Sequence, residues 1–222
     1  MAKIFIGVGH GGSDPGAVVG SLKEKDINLV IATEVYNVLH RHGVTVQMSR
    51  VKDDNESLAE KIAEANKFDP TLALDIHNNA GGGDGAEVFH HYGGGKGKTL
   101  AENILSEIVK IGQNSRGAKI KKNENGYDYF AFIRETKCPS VIVECAFLDN
   151  KTDVQIIDTV SEQKAMGVAI AKGVLRTLSI PYKEPETSDK LYRVQVGAYS
   201  IKANAEAMQK KLKAAGFDAI IV

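Results

Sequence analysis

No apolar run in this 222-residue chain is long enough to span a bilayer. Neither charge is in excess, since 28 basic residues stand against 28 acidic ones. Nothing in the composition therefore argues for nucleic acid or an anionic membrane surface as partner. The start of the chain has one lysine, a short apolar run and then glycines, which is not the pattern of a signal peptide. The expectation is a protein made in the cytoplasm that reaches any outside target by another exit. Cysteine is scarce: Cys138 and Cys145 are the only two. The second lies in a strand pattern running away from the first, so both are expected as buried thiols and not as a disulfide. What is present is a 43% hydrophobic chain, enough for a core of about 150–200 residues and a small appendage.

The chain is organised around residues 7–16, which hold five glycines and one histidine, His10. They follow the apolar run Ile4-Phe5-Ile6, a buried strand by pattern. His10 is thus expected at the carboxyl end of a strand, where open α/β sheets place their ligands. A glycine-rich phosphate cradle and a merely strained turn are the alternatives for this loop.

Strand and helix patterns then alternate. Apolar residues from Ile27 to Leu39 recur at helical spacing, and Gly43 closes that helix. Residues 44–48 read as a second strand. Ser57 and Glu60 form a capping box opening a helix through Ala65. Residues 71–76 make a third strand with His77, Asn78 and Asn79 at its end, and residues 86–92 a fourth. Thr99 and Glu102 give a second capping box, with Leu100, Ile104, Leu105, Ile108 and Ile111 down the helix. Residues 112–129 have no period and read as a long loop. Residues 130–133 read as strand, residues 140–143 as a stronger one ending at Glu144, and residues 161–178 as a closing helix. The expected class is α/β, a mostly parallel sheet flanked by helices, over residues 1–178.

Residues 179–189 carry Pro181 and Pro185 and read as a linker. Beyond them residues 190–222 give a strand, a helix stopping at Gly216 and a second strand, residues 217–222. This is one βαβ-like unit, too small to hold a core alone.

Under this reading His10, His77, Glu144 and Glu24, the last in the entry turn of the first helix, converge. Two histidines and a carboxylate with an open position describe a hydrolytic zinc site, with a remaining carboxylate free to act as base. His77 alone would more often be a hydrogen-bonded strand-end histidine, and Glu24 alone a carboxylate favoured by the helix dipole. Glu144 closes an apolar strand and must be paired or functional. His90 and His91 are assigned no metal role, and His40 and His42 are expected as cations favoured at a helix end. Cys145 alternates away from Glu144, which argues against a nucleophile.

Four stretches carry a resemblance: His10-Gly11-Gly12-Ser13-Asp14-Pro15-Gly16-Ala17, Leu22-Lys23-Glu24-Lys25-Asp26-Ile27-Asn28-Leu29, Ile76-His77-Asn78-Asn79-Ala80 and Val143-Glu144-Cys145-Ala146-Phe147-Leu148. In order, they resemble the zinc-dependent N-acetylmuramoyl-L-alanine amidases of the amidase-3 type, found in bacterial autolysins and phage endolysins. The resemblance implies that His10, Glu24 and His77 bind zinc (Zn2+) and that Glu144 is the catalytic carboxylate. It also implies hydrolysis of the bond between N-acetylmuramic acid and L-alanine in peptidoglycan. Asn78, Asn79 and Arg134 are candidate substrate contacts, with a structural role as the alternative for each. The tail, with Tyr192-Arg193-Val194-Gln195-Val196-Gly197-Ala198-Tyr199, is similar to one sporulation-related (SPOR) repeat of a peptidoglycan-binding module that normally holds two. A homodimer through residues 190–222, pairing the final strands, is the expected completion. Release by lysis or a membrane pore would bring such a protein to the cell wall. A zinc peptidase acting on another wall bond and a non-enzymatic wall-binding protein are the rival readings.

Overall fold

The computed structural model describes residues 2–185, 195–217 and 219–221. In chain order the elements are β1 (Lys3–Val8), β2 (Val18–Val19), β3 (Leu22–Lys23), α1 (Glu24–Arg41), β4 (Thr45–Met48), α2 (Leu58–Phe68), β5 (Leu72–Asn79), β6 (Ala86–His90), α3 (Gly95–Lys110), β7 (Ser115–Lys119), α4 (Ala131–Glu135), β8 (Ser140–Phe147), α5 (Lys151–Val154), α6 (Val160–Thr177) and α7 (Lys202–Ala214). Six strands form one sheet in the order β4-β1-β5-β8-β6-β7. All neighbours run parallel except β6 and β8. The expected mostly parallel sheet flanked by helices is what the chain forms.

Side-chain alternation along the strands splits the core in two. Ile4, Ile6, Val8, Leu72, Leu74, Ile76, Val141 and Val143 pack on one face with apolar residues of α1, α3 and α6. Helix α6 sits especially close: a Cβ on Gly173 would fall 2.5 Å from Ile104 Cα in α3, and one on Gly167 would fall 2.8 Å from the Ile31 carbonyl oxygen in α1. The other face holds Phe5, Ala73, Phe89 and Ile142, covered by Ile62 and Ala65 of α2 and Phe132 and Ile133 of α4. Continuing the alternation along β5, β6 and β8, that second face next carries Asp75, His77, Glu87 and Glu144. Apolar cover thus gives way to polar side chains toward the ends of β5 and β8.

The Ser57–Glu60 capping box opens α2 as its spacing predicts, and Thr159 with Glu162 makes another at α6. Elsewhere the local signals misplace elements. Helix α3 starts at Gly95 behind Gly94, whose φ of 74° turns the chain out of β6. Thr99 therefore lies inside the first turns, its hydroxyl donating to the Gly95 carbonyl at 3.4 Å, and caps nothing. Within the expected loop 112–129, residues 115–119 form β7, an edge strand whose partner β6 supplies the ladder that its own polar sequence does not suggest. Residues 130–133 do not form a strand. Ile133 and Arg134 donate backbone N–H to the Phe130 carbonyl, and the short helix α4 buries the adjacent Phe132 and Ile133 together. Strand β8 runs on to Phe147, so Glu144 lies within it, paired in register with His77 on one side and Glu87 on the other.

Both cysteines are free; Cys145 is buried and Cys138 half-buried. His42 Nδ1 lies 2.7 Å from the Val38 carbonyl oxygen, and its Nε2 lies 2.9 Å from the Lys183 backbone nitrogen.

The chain divides into two compact units, Met1–Lys183 and Glu184–Val222. Ile180 and Tyr182, inside the expected linker, pack against the first unit's core, and Tyr182 takes a 3.0 Å hydrogen bond from Arg41. In the second unit α7 forms, with Gln209 donating to the Ala219 carbonyl at 2.8 Å. Gln195, Val196, Gly197 and Ala198 form no strand, nor do Ala219, Ile220 and Ile221. Tyr192, Arg193, Val194 and Val222 lie outside the described residues. The strand edge on which the homodimer expectation rested is not formed among the described residues, and nothing there supports that dimer.

Candidate active site

The loop after β1 turns back over the start of α1. His10 adopts φ 60°, and the flanking glycines leave the room this needs. A Cβ on Gly9 would lie 2.4 Å from His77 Cε1, and one on Gly16 would lie 2.6 Å from His10 Cδ2 and 2.5 Å from Glu24 Oε2. The loop's amides are already used: Gly12 N–H donates to Asp53 and Ser13 N–H to Asn55, each at 2.7 Å. That removes the phosphate-cradle alternative. Lys25 donates to the Gly12 carbonyl and to Asp53, and Arg50 donates to the Gly9 and Lys25 carbonyls. Spacing along the chain gave no sign of these clamps, which link the loop to residues about 40 positions away.

His10, Glu24 and His77 meet. Their candidate ligand atoms all lie within 4.8 Å of one another. His10 Nε2 is 3.1 Å from Glu24 Oε2, and His77 Nδ1 is 3.0 Å from Glu24 Oε1. Glu24 also accepts the Ala17 and Asn78 backbone N–H groups and the Asn28 amide. Burial alone would push its carboxyl up, but the hydrogen bonds from His10 and His77 outweigh it and hold the group well below the usual carboxylate range. Burial would likewise lower His77. The Asp75 carboxylate, joined by Glu24 and Glu144, instead raises it to about 10. His10 is raised chiefly by its hydrogen bond to Glu24, against the effect of burial. The positive charge drawn onto the two imidazoles is the charge that a divalent cation would bring. Two imidazole nitrogens and one carboxylate also match the donor set of a catalytic zinc site. These residues fit a metal ion.

Glu144 sits beside this group, opposite His77 in the β5–β8 ladder. Its Oε2 is buried and has no hydrogen-bond partner. Burial pushes its carboxyl up to about 7 against the pull of His77, with Glu24, Glu87 and Asp75 adding to the rise. A carboxylate that exchanges its proton near neutrality is what general-base work needs.

The three expected substrate contacts each make hydrogen bonds within the chain. Asn78 is buried behind Glu24 and donates to Asn28 at 2.8 Å. Asn79 donates to Glu87 at 3.1 Å. Arg134 spends its donors on the Asp128 and Tyr129 carbonyls and on Glu135. Glu87 went unnoticed in the sequence, yet it is buried next to Glu144 and holds Arg116 and Lys119. Burial opposes ionisation there, but the hydrogen bonds from Lys119 and Arg116 prevail and lower its pKa. Asp75 was also missed, although a charged residue inside Leu72-Ala73-Leu74-Asp75-Ile76 was there to be seen.

Comparison with known proteins identifies the family. The family model for N-acetylmuramoyl-L-alanine amidase matches residues 4–176, and that for the SPOR domain matches residues 171–222. The N-acetylmuramoyl-L-alanine amidase CwlM of Bacillus licheniformis is 35% identical over 226 residues, covering 100% of this chain and 85% of that protein. The sporulation-specific N-acetylmuramoyl-L-alanine amidase of Bacillus subtilis is 34% identical with the same coverage. Among solved structures, the catalytic domain of CwlV, an N-acetylmuramoyl-L-alanine amidase from Bacillus (Paenibacillus) polymyxa var. colistinus, superposes with a TM-score of 0.73 at 26% identity. It covers 82% of this chain and 100% of that one. With its sheet, its His10–Glu24–His77 group and a family match over most of its length, the chain belongs to the N-acetylmuramoyl-L-alanine amidase family and carries a SPOR domain at its C-terminal end.

Proposed function

We propose that this chain hydrolyses the amide between N-acetylmuramic acid and L-alanine in peptidoglycan, with His10, Glu24 and His77 holding zinc and Glu144 as the catalytic carboxylate. The observation that carries the proposal is the meeting of the three donors beside a buried carboxyl oxygen with no partner. Zinc bound there supplies a Lewis acid for the scissile carbonyl and the attacking water. The chain's own residues do the rest. Glu144 accepts the proton of the attacking water on its unpartnered oxygen and returns it to the departing amine of L-alanine. A carboxyl that burial has raised to about 7 suits both transfers. Glu24 is held by the Ala17 and Asn78 N–H groups, so the donor set keeps its shape through the reaction.

Residues 1–178 form the catalytic part in this reading, residues 179–189 the link, and residues 190–222 the peptidoglycan-binding part that keeps the enzyme on the wall. The test uses a defined muropeptide carrying the lactyl–L-alanine amide. Digestion with the full chain should free the α-amine of L-alanine and leave the sugar with an intact lactyl acid. Release of any other amine, with that bond untouched, would support the zinc-peptidase reading instead.

A further inference from the structure

Strands β1 and β5 are paired with Gly7 opposite Asp75, and Gly9 lies against His77. A Cβ on Gly7 would fall 2.4 Å from Asp75 Oδ1, and one on Gly9 at the same distance from His77 Cε1. The two glycines thus leave a trough in the sheet filled by a carboxylate and then an imidazole. Asp75 is only 2% exposed. A carboxylate buried on this face of the sheet is costly unless paired. Its partner is the buried Lys61 of α2, whose ammonium lies 3.0 and 3.3 Å from the two carboxylate oxygens and 3.2 Å from the Val8 carbonyl. Well-packed apolar residues are often as stabilising as such a pair, and the neighbouring part of this face, around Phe5, Ala73 and Ile142, uses them. The pair therefore invites a reason other than stability. Asp75 Oδ2 lies 3.4 Å from His77 Nε2, while His77 Nδ1 faces Glu24.

We propose that Asp75, fixed by Lys61, is the positioning residue of the metal site: it keeps a proton on His77 Nε2 and turns the Nδ1 lone pair toward the ion shared with His10 and Glu24. The inference rests on reading His77 as a ligand. A metal-binding histidine commonly gives its second nitrogen to a carboxylate, which fixes ring and tautomer. His10 also meets an aspartate, Asp14, at 2.8 Å, but that residue is largely exposed and lies in the same loop. On the His77 side the orienting group is locked in the core by a second helix.

Replacing Asp75 alone would leave Lys61 charged and unpaired, so the test uses two double variants of the full chain. Lys61→Met with Asp75→Leu removes the acceptor without stranding a charge. Lys61→Met with Asp75→Asn keeps an oxygen facing His77. Zinc affinity is read by chelator competition, and the His77 Nε2–H proton by imidazole ¹H–¹⁵N spectra of the metal-free and zinc-loaded proteins. The leucine variant should bind zinc about 10–100-fold more weakly and lose the slowly exchanging Nε2–H signal, while the metal-free protein unfolds no earlier than the parent. The asparagine variant should recover the signal and most of the affinity. A leucine variant with parental zinc affinity and an unchanged Nε2–H signal would overturn the proposal. If the parent protein took up no zinc, the ligand reading would fall. The proton signal in metal-free protein would still decide whether Asp75 holds His77.

Discussion

Glu144, the proposed catalytic carboxylate, is buried beside His77, Glu24 and Glu87. Its Oε2 has no hydrogen-bond partner, in a sheet where the neighbouring Glu87 is held by two cations. The contrast explains why the two carboxylates differ. Arg116 and Lys119 hold the Glu87 carboxyl below its usual range, whereas burial raises Glu144 to about 7, which favours Glu144 for proton exchange near neutral pH. Substituting Glu144→Gln keeps shape and burial but removes the proton acceptor. Turnover should fall on the order of 10²–10⁴-fold with metal content unchanged. Loss of the metal in that variant would instead make Glu144 a ligand. At this scale the sequence was readable where a residue breaks the pattern around it, as His10 does among glycines and Glu144 does in an apolar strand. Spacing along the chain does not reveal that Asn78, Asn79 and Arg134 donate to Asn28, Glu87 and the 128–129 carbonyls.

Among the elements, those with a strong local signal were placed well. Helix α2 has its capping box and α1 its apolar stripe closed by Gly43. Of the misplaced ones, β7 and β8 depend on partners distant in sequence. Strand β7 exists because β6 offers a free edge, and β8 continues through Glu144 because β5 and β6 pair with it on both sides. The close seat of α6 was equally invisible, since a glycine inside a helix reads as a weakness until its neighbour is known. Gly173 lets the backbone of α6 approach Ile104. Gly173→Ala should therefore destabilise the protein by about 1–3 kcal/mol through overpacking, despite alanine's better helix propensity. Thermal unfolding checks this, and a variant at least as stable as the parent would show that α3 and α6 can separate at no cost.

For the whole molecule, the first unit holds the fold and the candidate metal site, and the second lies within the SPOR match. Helix α7 has no buried residue, and among the described residues the second unit adds no comparable core. Among the described residues, no helix is long and apolar enough to cross a membrane. If the second unit serves to hold the wall, a chain ending at Lys183 should cleave soluble muropeptide at the parental rate. It should sediment less with intact walls and digest them more slowly. Ending there spares Tyr182, which a cut at the expected linker start would remove from its contact with Arg41.

The central claim is that His10, Glu24 and His77 together hold one catalytic zinc ion. The most direct test is elemental analysis of the purified full chain and its His77→Ala variant, with muropeptide cleavage measured on the same samples. One zinc per parent chain is expected, removed by chelator together with activity and restored with it on adding zinc. The variant should be inactive and without stoichiometric metal. A parent that cleaves the amide with no bound metal, or a His77→Ala protein that keeps stoichiometric zinc, would contradict it.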